Sequence, residues 1–326
     1  MVATGTRAGR GRTAGGAGER HSACADYPRP GEPGRWKPGK RGRSRRPGTR
    51  ARAAKRLDRG HRRAVPAWCT VPGMCLIAFA WQVHPRWRLV LAGNRDEAHA
   101  RPSAPLARWA DLPISGGRDI EAGGTWLGAT DDGRCAVVTN VRDPAASQAG
   151  ASRGLLVTDY LAGTADAATH AARLATVAAS YRPFNLLTFD TAAAFYLGNR
   201  PAAHGDAVAP GVHGLSNAEL DTPWPKTLEL KRRLTDWLAA GDAEDFAPLF
   251  AALADERVAA DAALPDTGVG LALERRLFSA FIRGPDYGTR ASTVVALDHA
   301  GRGCIIERRF GPDGRFDGEA RLALGA

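Results

Sequence analysis

Met74-Cys75-Leu76-Ile77-Ala78-Phe79-Ala80-Trp81-Gln82 is an apolar run headed by a cysteine, and the fold is read outward from it. From Cys75 to Gln82 it carries no charge and is rich in strand-forming side chains, so it reads as a buried β-strand. After a turn at His84-Pro85-Arg86, Trp87 to Ala92 reads as its hairpin partner. A thiol therefore opens the first strand.

A long polar loop containing Arg101-Pro102 and Gly116-Gly117 is expected next. It leads to Gly123-Gly124-Thr125-Trp126-Leu127-Gly128-Ala129 and, through the hairpin signal Asp132-Gly133, to a strand from Cys135 to Val141. Ser152 is placed to cap a helix through Leu161, and beyond the Gly163-Thr164 break Ala165 to Ser180 reads as a second helix. Phe184 to Phe189 and Ala194 to Leu197 read as strands. Trp224-Pro225 starts a helix through Leu238, with Leu228, Leu234 and Leu238 on apolar spacing, and Asp245 to Ala254 also reads as helical. Ala291 to Leu297 and Cys304 to Arg308 close the pattern as a strand pair. Paired strands with helices grouped between them predict an α+β domain whose sheets carry helices on their outer faces, not an alternating parallel fold.

Charge has to be taken by segment. Residues 1–73 hold 19 Lys and Arg against 4 Asp and Glu, whereas the remainder holds 26 against 30, so the net +11 belongs to the first segment. Nucleic acid is accordingly not expected as a partner of the body, despite the basic total. Residues 1–73, rich in Gly, Pro and Arg and without apolar periodicity, are expected to be a disordered basic extension. They lack the apolar segment of a secretory signal, and the abrupt change of composition at Met74 favours a translation start there. The domain is assigned to residues 74–326.

Cys24, Cys69, Cys75, Cys135 and Cys304 show no paired spacing, and no stretch of eighteen apolar residues runs without a charge. A cytoplasmic domain with no disulfide framework and no transmembrane segment is predicted. The histidines show no metal-ligand spacing and the glycine segments match neither a phosphate loop nor a dinucleotide fingerprint, so no metal or other cofactor is expected.

Four segments combine polar side chains with strand ends: Asn94-Arg95-Asp96-Glu97, Thr139-Asn140-Val141-Arg142, Gly214-Leu215-Ser216-Asn217 and Tyr287-Gly288-Thr289-Arg290. Together with Met74-Cys75, Gly123-Gly124-Thr125-Trp126-Leu127-Gly128, Ser152-Arg153-Gly154, Phe184-Asn185-Leu186-Leu187, His213-Gly214 and Asp221-Thr222-Pro223-Trp224-Pro225-Lys226, they occur in an order that resembles the NRDE family, which includes the eukaryotic transport and Golgi organisation proteins. The resemblance spans Met74 to about Phe310. That family in turn is similar to cysteine N-terminal-nucleophile (Ntn) hydrolases of the choloylglycine and penicillin V acylase type, which implies a four-layer αββα sandwich of two mainly antiparallel sheets. It also implies Cys75 as nucleophile, Arg95 and Asp96 as a charged pair on the loop beside it, Asn140 and Asn217 as pocket amides, and Arg290 as a distant pocket arginine. The first loop departs from the hydrolase pattern in order and spacing.

The chemistry implied is coherent. A nearby arginine favours a thiolate, and a freed α-amine on Cys75, with a reference pKa of about 7.7–8.0, serves as its own general base. Asparagine amides donate to an oxyanion. Each residue also has a structural reading: Cys75 as a small buried hydrophobe, Arg95 and Asp96 as a salt bridge, Asn140 and Asn217 as turn caps, and Arg290 as a clamp on loop carbonyls. Cys135 and Cys304 are expected to be core residues. Two activities stay open: cysteine-dependent hydrolysis of a non-peptide amide or acyl bond, and non-catalytic binding or trafficking of an acyl-CoA-like lipid or haem.

Overall fold

The computed structural model describes residues 74–143, 149–240 and 244–325; the extension expected at 1–73 lies outside them. β1 (Cys75–Trp81) is flanked by β2 (Trp87–Ala98) and β10 (Gly211–Leu215) in one sheet, ordered β10-β1-β2-β11-β12-β13, with β11 at Tyr287–Asp298, β12 at Gly303–Phe310 and β13 at Phe316–Leu324. The second sheet is β3-β4-β5-β6-β7-β8-β9: Ser103–Arg108, Ser115–Asp119, Leu127–Ala129, Cys135–Asn140, Phe184–Phe189, Ala194–Gly198 and His204–Ala207. Every neighbouring pair is antiparallel.

Burial of both faces of β1 explains why its sequence is continuously apolar rather than alternating. Ile77, Phe79 and Trp81 meet Leu127, Val137, Leu187 and Phe189 of the second sheet, forming the core between sheets. Leu76, Ala78 and Ala80 point the other way, against Leu230, Leu234 and Trp237 of α3 (Pro225–Ala239) and Leu249 and Phe250 of α4 (Ala247–Leu253). Ala136, Val138 and Leu186 on the outer face of the second sheet pack on α1 (Gly154–Ala162) and α2 (Ala167–Ala175). The result is helices, sheet, sheet, helices, as the α+β reading requires. A short α5 (Leu271–Leu277) lies beside Met74 through Leu277.

Several local expectations are corrected. Asn94-Arg95-Asp96-Glu97 is not a loop: β2 continues through it because β1 and β11 supply hydrogen-bonding partners on either side. The polar loop contains β3 and β4. Ser152 does not cap α1; Arg153 occupies the cap position without a side-chain cap bond. α2 starts after Asp166, whose carboxylate accepts from the Thr169 N–H at 2.7 Å, and ends before a separate 3₁₀ turn at Ala178–Ser180. The hairpin at Asp132-Gly133 is present, with Gly133 at φ +81°. Cys135 and Cys304 are both buried in the apolar clusters, and burial pushes the Cys135 thiol up to about 12.

Candidate functional site

Register places the thiol. Cys75 lies opposite Arg95 and has the same parity as Ile77 and Phe79, so its side chain belongs to the inter-sheet side of β1. There, at one end of the space between the sheets, is a polar cavity of about 150 Å³ lined by Cys75, Arg95, Asp96, Asn140, Arg153 and Arg290, among others. Gly124 allows its far wall to close: a Cβ there would stand 2.4 Å from the Gly154 carbonyl carbon, so the two glycine-bearing segments can touch only as backbone.

The four residues of the Asn94-to-Glu97 segment have different tasks. Asn94, fully buried, donates its amide to the carbonyls of Leu253 (2.8 Å) and Ala280 (2.7 Å) and accepts from Ser292 Oγ (2.6 Å). It ties β2 and β11 to the end of α4 and to the chain after α5. Asn94→Ala should destabilise the fold by about 2–3 kcal/mol, read by urea denaturation, because a buried hydroxyl and two carbonyls lose their partner. Arg95 faces Glu97, 3.8 Å away, and not Asp96, which corrects the expected Arg95–Asp96 ion pair. Asp96 is buried; its Oδ1 accepts from Thr289 Oγ1 at 2.6 Å, while Oδ2 has no hydrogen-bond partner among the described residues.

Burial raises the Asp96 carboxyl well above its usual range, opposed by the Thr289 hydrogen bond and the Lys226 charge. Burial likewise lowers the Lys226 ammonium, opposed by Asp96; its Nζ donates to the Leu277 carbonyl at 3.3 Å. Cys75 is pushed up to about 12, first by burial and then by the Asp96 charge, against the pull of Arg95. With Met74 attached, its thiol is therefore protonated at neutral pH.

Met74 itself is sealed. It packs against Leu277, Ile282 and Tyr287; its N–H donates to Tyr287 Oη at 2.7 Å and its carbonyl accepts from the Asp96 N–H at 2.7 Å. Arg142 points a guanidinium nitrogen at the Met74 sulfur and is itself bound to Glu274, 2.5 Å away, with both side chains almost fully buried.

The two asparagines part company. Asn140 ends β6 and lines the cavity, whereas Asn217 does not: its amide donates to the Asn140 carbonyl at 2.9 Å. Neighbouring Ser216 donates to the Cys75 carbonyl at 2.8 Å and so fixes the start of β1. Arg290 is the extra residue of a β-bulge, since Thr289 pairs with Asp96 and Ala291 with Arg95. The bulge re-aims its guanidinium, whose Nη1 donates to the carbonyls of Ala98, His99 and Arg101. Sequence reasoning assigned no role to Lys226, Glu274, Tyr287 or Arg153, although Lys226, Tyr287 and Arg153 lie inside the segments that carried the family resemblance.

His213 is structural. Its Nδ1 and Asp221 Oδ2 are 2.7 Å apart, and Asp221 also accepts from Lys231 Nζ and the Gly214 N–H. Against the cost of burial, these bonds hold Asp221 down to about 2, and its hydrogen bond raises His213 above its ordinary value in spite of burial. A raised histidine contributes stability that is present below its unfolded pKa and is lost as pH rises through the folded one. His213→Gln should therefore destabilise more at pH 5.5 than at pH 8.5, by less than about 1 kcal/mol for a partly exposed pair. Paired denaturation curves at the two pH values check the sign.

The family model described as Transport and Golgi organisation 2 matches residues 74–312. The Transport and Golgi organization protein 2 homolog of Bos taurus is 34% identical over 260 residues, covering 72% of this chain and 92% of that protein. The Homo sapiens homolog is 33% identical over 255 residues with the same coverage, and the Drosophila melanogaster protein 25% identical over 264. Among solved structures, the Caenorhabditis elegans N-acylethanolamine-hydrolyzing acid amidase ortholog is 11% identical with a TM-score of 0.41, covering 68% of this chain and 92% of that one. A mutant of the conjugated bile acid hydrolase from Clostridium perfringens is 8% identical with a TM-score of 0.35, over 77% and 84%. The motif order read from Met74 onward and the curated relatives agree, and the chain belongs to the Transport and Golgi organisation 2 family.

Proposed function

We propose that this chain is a cysteine-dependent hydrolase of a non-peptide amide or acyl bond, active once Cys75 is the first residue. The observation that carries the reading is the placing of a strand-initial thiol on a polar cavity together with Arg95, Asp96 and Asn140. Cleavage of the Met74–Cys75 peptide bond frees an α-amine on the nucleophile's own residue, which takes the thiol proton. The thiolate then attacks the acyl carbon, and Asn140 donates to the oxyanion. The amine leaving group departs with the proton, and water attacks the thioester to release the acid and restore the thiol. Tyr287, whose hydroxyl accepts from the Met74 N–H, and Asp96, whose carboxylate charge acts on Cys75, are the groups to orient the new ammonium.

A panel of N-acyl amides of graded chain length tests this, with intact mass following the acyl-enzyme. A Cys75-initiated chain should gain one acyl group and release the amine, and Cys75→Ala should do neither. Turnover that survives Cys75→Ala would refute the reading. One observation favours a second reading, a carrier for an acyl-CoA-like lipid or haem: a thiol held near 12 while Met74 remains would hold an acyl compound without cleaving it. Saturable binding of palmitoyl-CoA or haemin with no product, by a chain whose mass confirms a free Cys75 amine, would favour the carrier.

A further inference from the structure

The cavity of Cys75 carries more positive charge than its own carboxylates neutralise. Arg101 is matched by Asp119, with Glu97 and Glu121 nearby; Arg118 makes two bonds to Asp111; Arg95 faces Glu97. Arg290 spends its guanidinium on backbone carbonyls. Arg309, whose charge acts on Glu307, donates to the Asp317 carbonyl at 3.1 Å. Arg153 and Arg182 also line the cavity half-buried, and neither makes an ion pair among the described residues. The guanidinium of Arg153, at the start of α1, makes one hydrogen bond among the described residues, from Nη1 to the Pro183 carbonyl at 3.3 Å. Arg182, the residue before that proline, has a buried Nε with no partner. Two guanidinium groups thus line one cavity without an ion-pair partner among the described residues, and the charge of Arg182 is felt at Arg153.

Leaving buried charge uncompensated is costly, and the usual remedy is a partner of opposite sign with planar oxygens to match the guanidinium fork. Burial, with the Arg182 charge adding to it, pulls Arg153 down to about 10, which is the electrostatic mark of that missing partner. We infer that Arg153 and Arg182 form a subsite for an anionic group of the ligand, a carboxylate or a phosphate, so that the cavity takes acyl compounds whose non-acyl end is negatively charged. This rests on the reading of the Cys75 cavity as an acyl site and adds the substrate class to it.

The test separates binding from chemistry by using the full chain with Cys75→Ala. Calorimetry at low salt compares N-octanoylglycine, its neutral counterpart N-octanoylglycinamide, and octyl phosphate. At least one acid should bind about tenfold tighter than the glycinamide, as expected for charge-assisted pairing with a buried guanidinium. The tighter of the two acids assigns the anion as carboxylate or phosphate. The preference should fall to about unity in Arg153→Gln/Arg182→Gln and should persist in Arg118→Gln. Equal binding of acids and amide by the parent chain overturns the inference without recourse to any Arg153 or Arg182 variant, and so does a preference that survives the double substitution. Acid-selective binding together with no cleavage by a chain that begins at an intact Cys75 would support this subsite and sink the hydrolase reading. Cleavage of the glycinamide as readily as of the glycine conjugate would do the reverse.

Discussion

A chain whose first residue is Cys75 should cleave an N-acyl amide at least ~10³ times faster than one that retains Met74, because a general base and a usable thiol arrive together. While Met74 is attached, the Cys75 nitrogen is an amide and its thiol is held near 12, so at pH 7.5 roughly one molecule in 10⁴–10⁵ carries a thiolate. Removing Met74 takes away a side chain that seals this corner against Leu277, Ile282 and Tyr287 and supplies an amine of pKa about 7.7–8.0. The pH profiles should differ in shape as well as height. Alkylation of the Met74-bearing form should climb about tenfold per pH unit through pH 10 without a plateau, since only its rare thiolate reacts. The Cys75-initiated form should level off near pH 8, where its amine loses its proton. Iodoacetamide kinetics on two chains of verified mass decide it: a Met74-bearing chain that already plateaus below pH 8 would show that the thiol is activated by something other than its own amine.

What the sequence disclosed about the fold follows a physical line. Strands buried on both faces and paired on both edges, such as β1, β6, β7 and the apolar stretch of β11, announce themselves as apolar runs. The strands that escaped notice include all four sheet edges: β10 and β13 in one sheet, β3 and β9 in the other. β3 buries little beyond Leu106, and β9 has no buried residue, so neither carries the alternation that a sequence pattern can register. β4, Ser115–Asp119, is interior but glycine-rich; its identity comes from its neighbours rather than from its own side chains.

The site was legible in part for a related reason. Motif order pointed to Cys75, Arg95, Asp96, Asn140 and Arg290, and these do line one cavity. It could not tell which side chains face that cavity and which are consumed in holding the backbone. Asn94 and Asp96 share a parity on β2, yet one is spent on two carbonyls and the other keeps a bare oxygen. Asn217 looks like a pocket amide in sequence but serves the Asn140 carbonyl, and the Arg290 guanidinium is redirected by a bulge that no periodicity reveals.

Glu274→Ala should cost about 3–5 kcal/mol of folding stability, the largest loss expected of a single substitution outside the apolar core, because it strands a buried cation. The Glu274 and Arg142 side chains are 2% and 4% exposed, and Glu274 holds the pair in place through a second set of bonds, from the Thr267 N–H at 3.0 Å and from its hydroxyl. Without Glu274, the Arg142 guanidinium keeps, among the described residues, Thr267 Oγ1 at 3.2 Å, the Met74 sulfur and the Trp224 ring 5.7 Å away. For a domain of this size the loss corresponds to a fall in Tm of roughly 6–20 °C. Arg142→Met/Glu274→Leu should recover most of it, since replacing both members of a buried pair with apolar groups is often neutral. Arg142, two residues beyond β6, is bound to Glu274 of α5, donates its backbone N–H to the carbonyl of Asn217 after β10 at 2.7 Å, and reaches the residue that must leave before Cys75 acquires an amine. The double variant therefore separates two roles: stability restored with Cys75-dependent turnover intact makes the pair a strut, whereas stability restored with turnover lost makes Arg142 a positioning residue for the start of β1. A loss below about 1 kcal/mol in Glu274→Ala would mean that water reaches Arg142 and that this corner is not sealed.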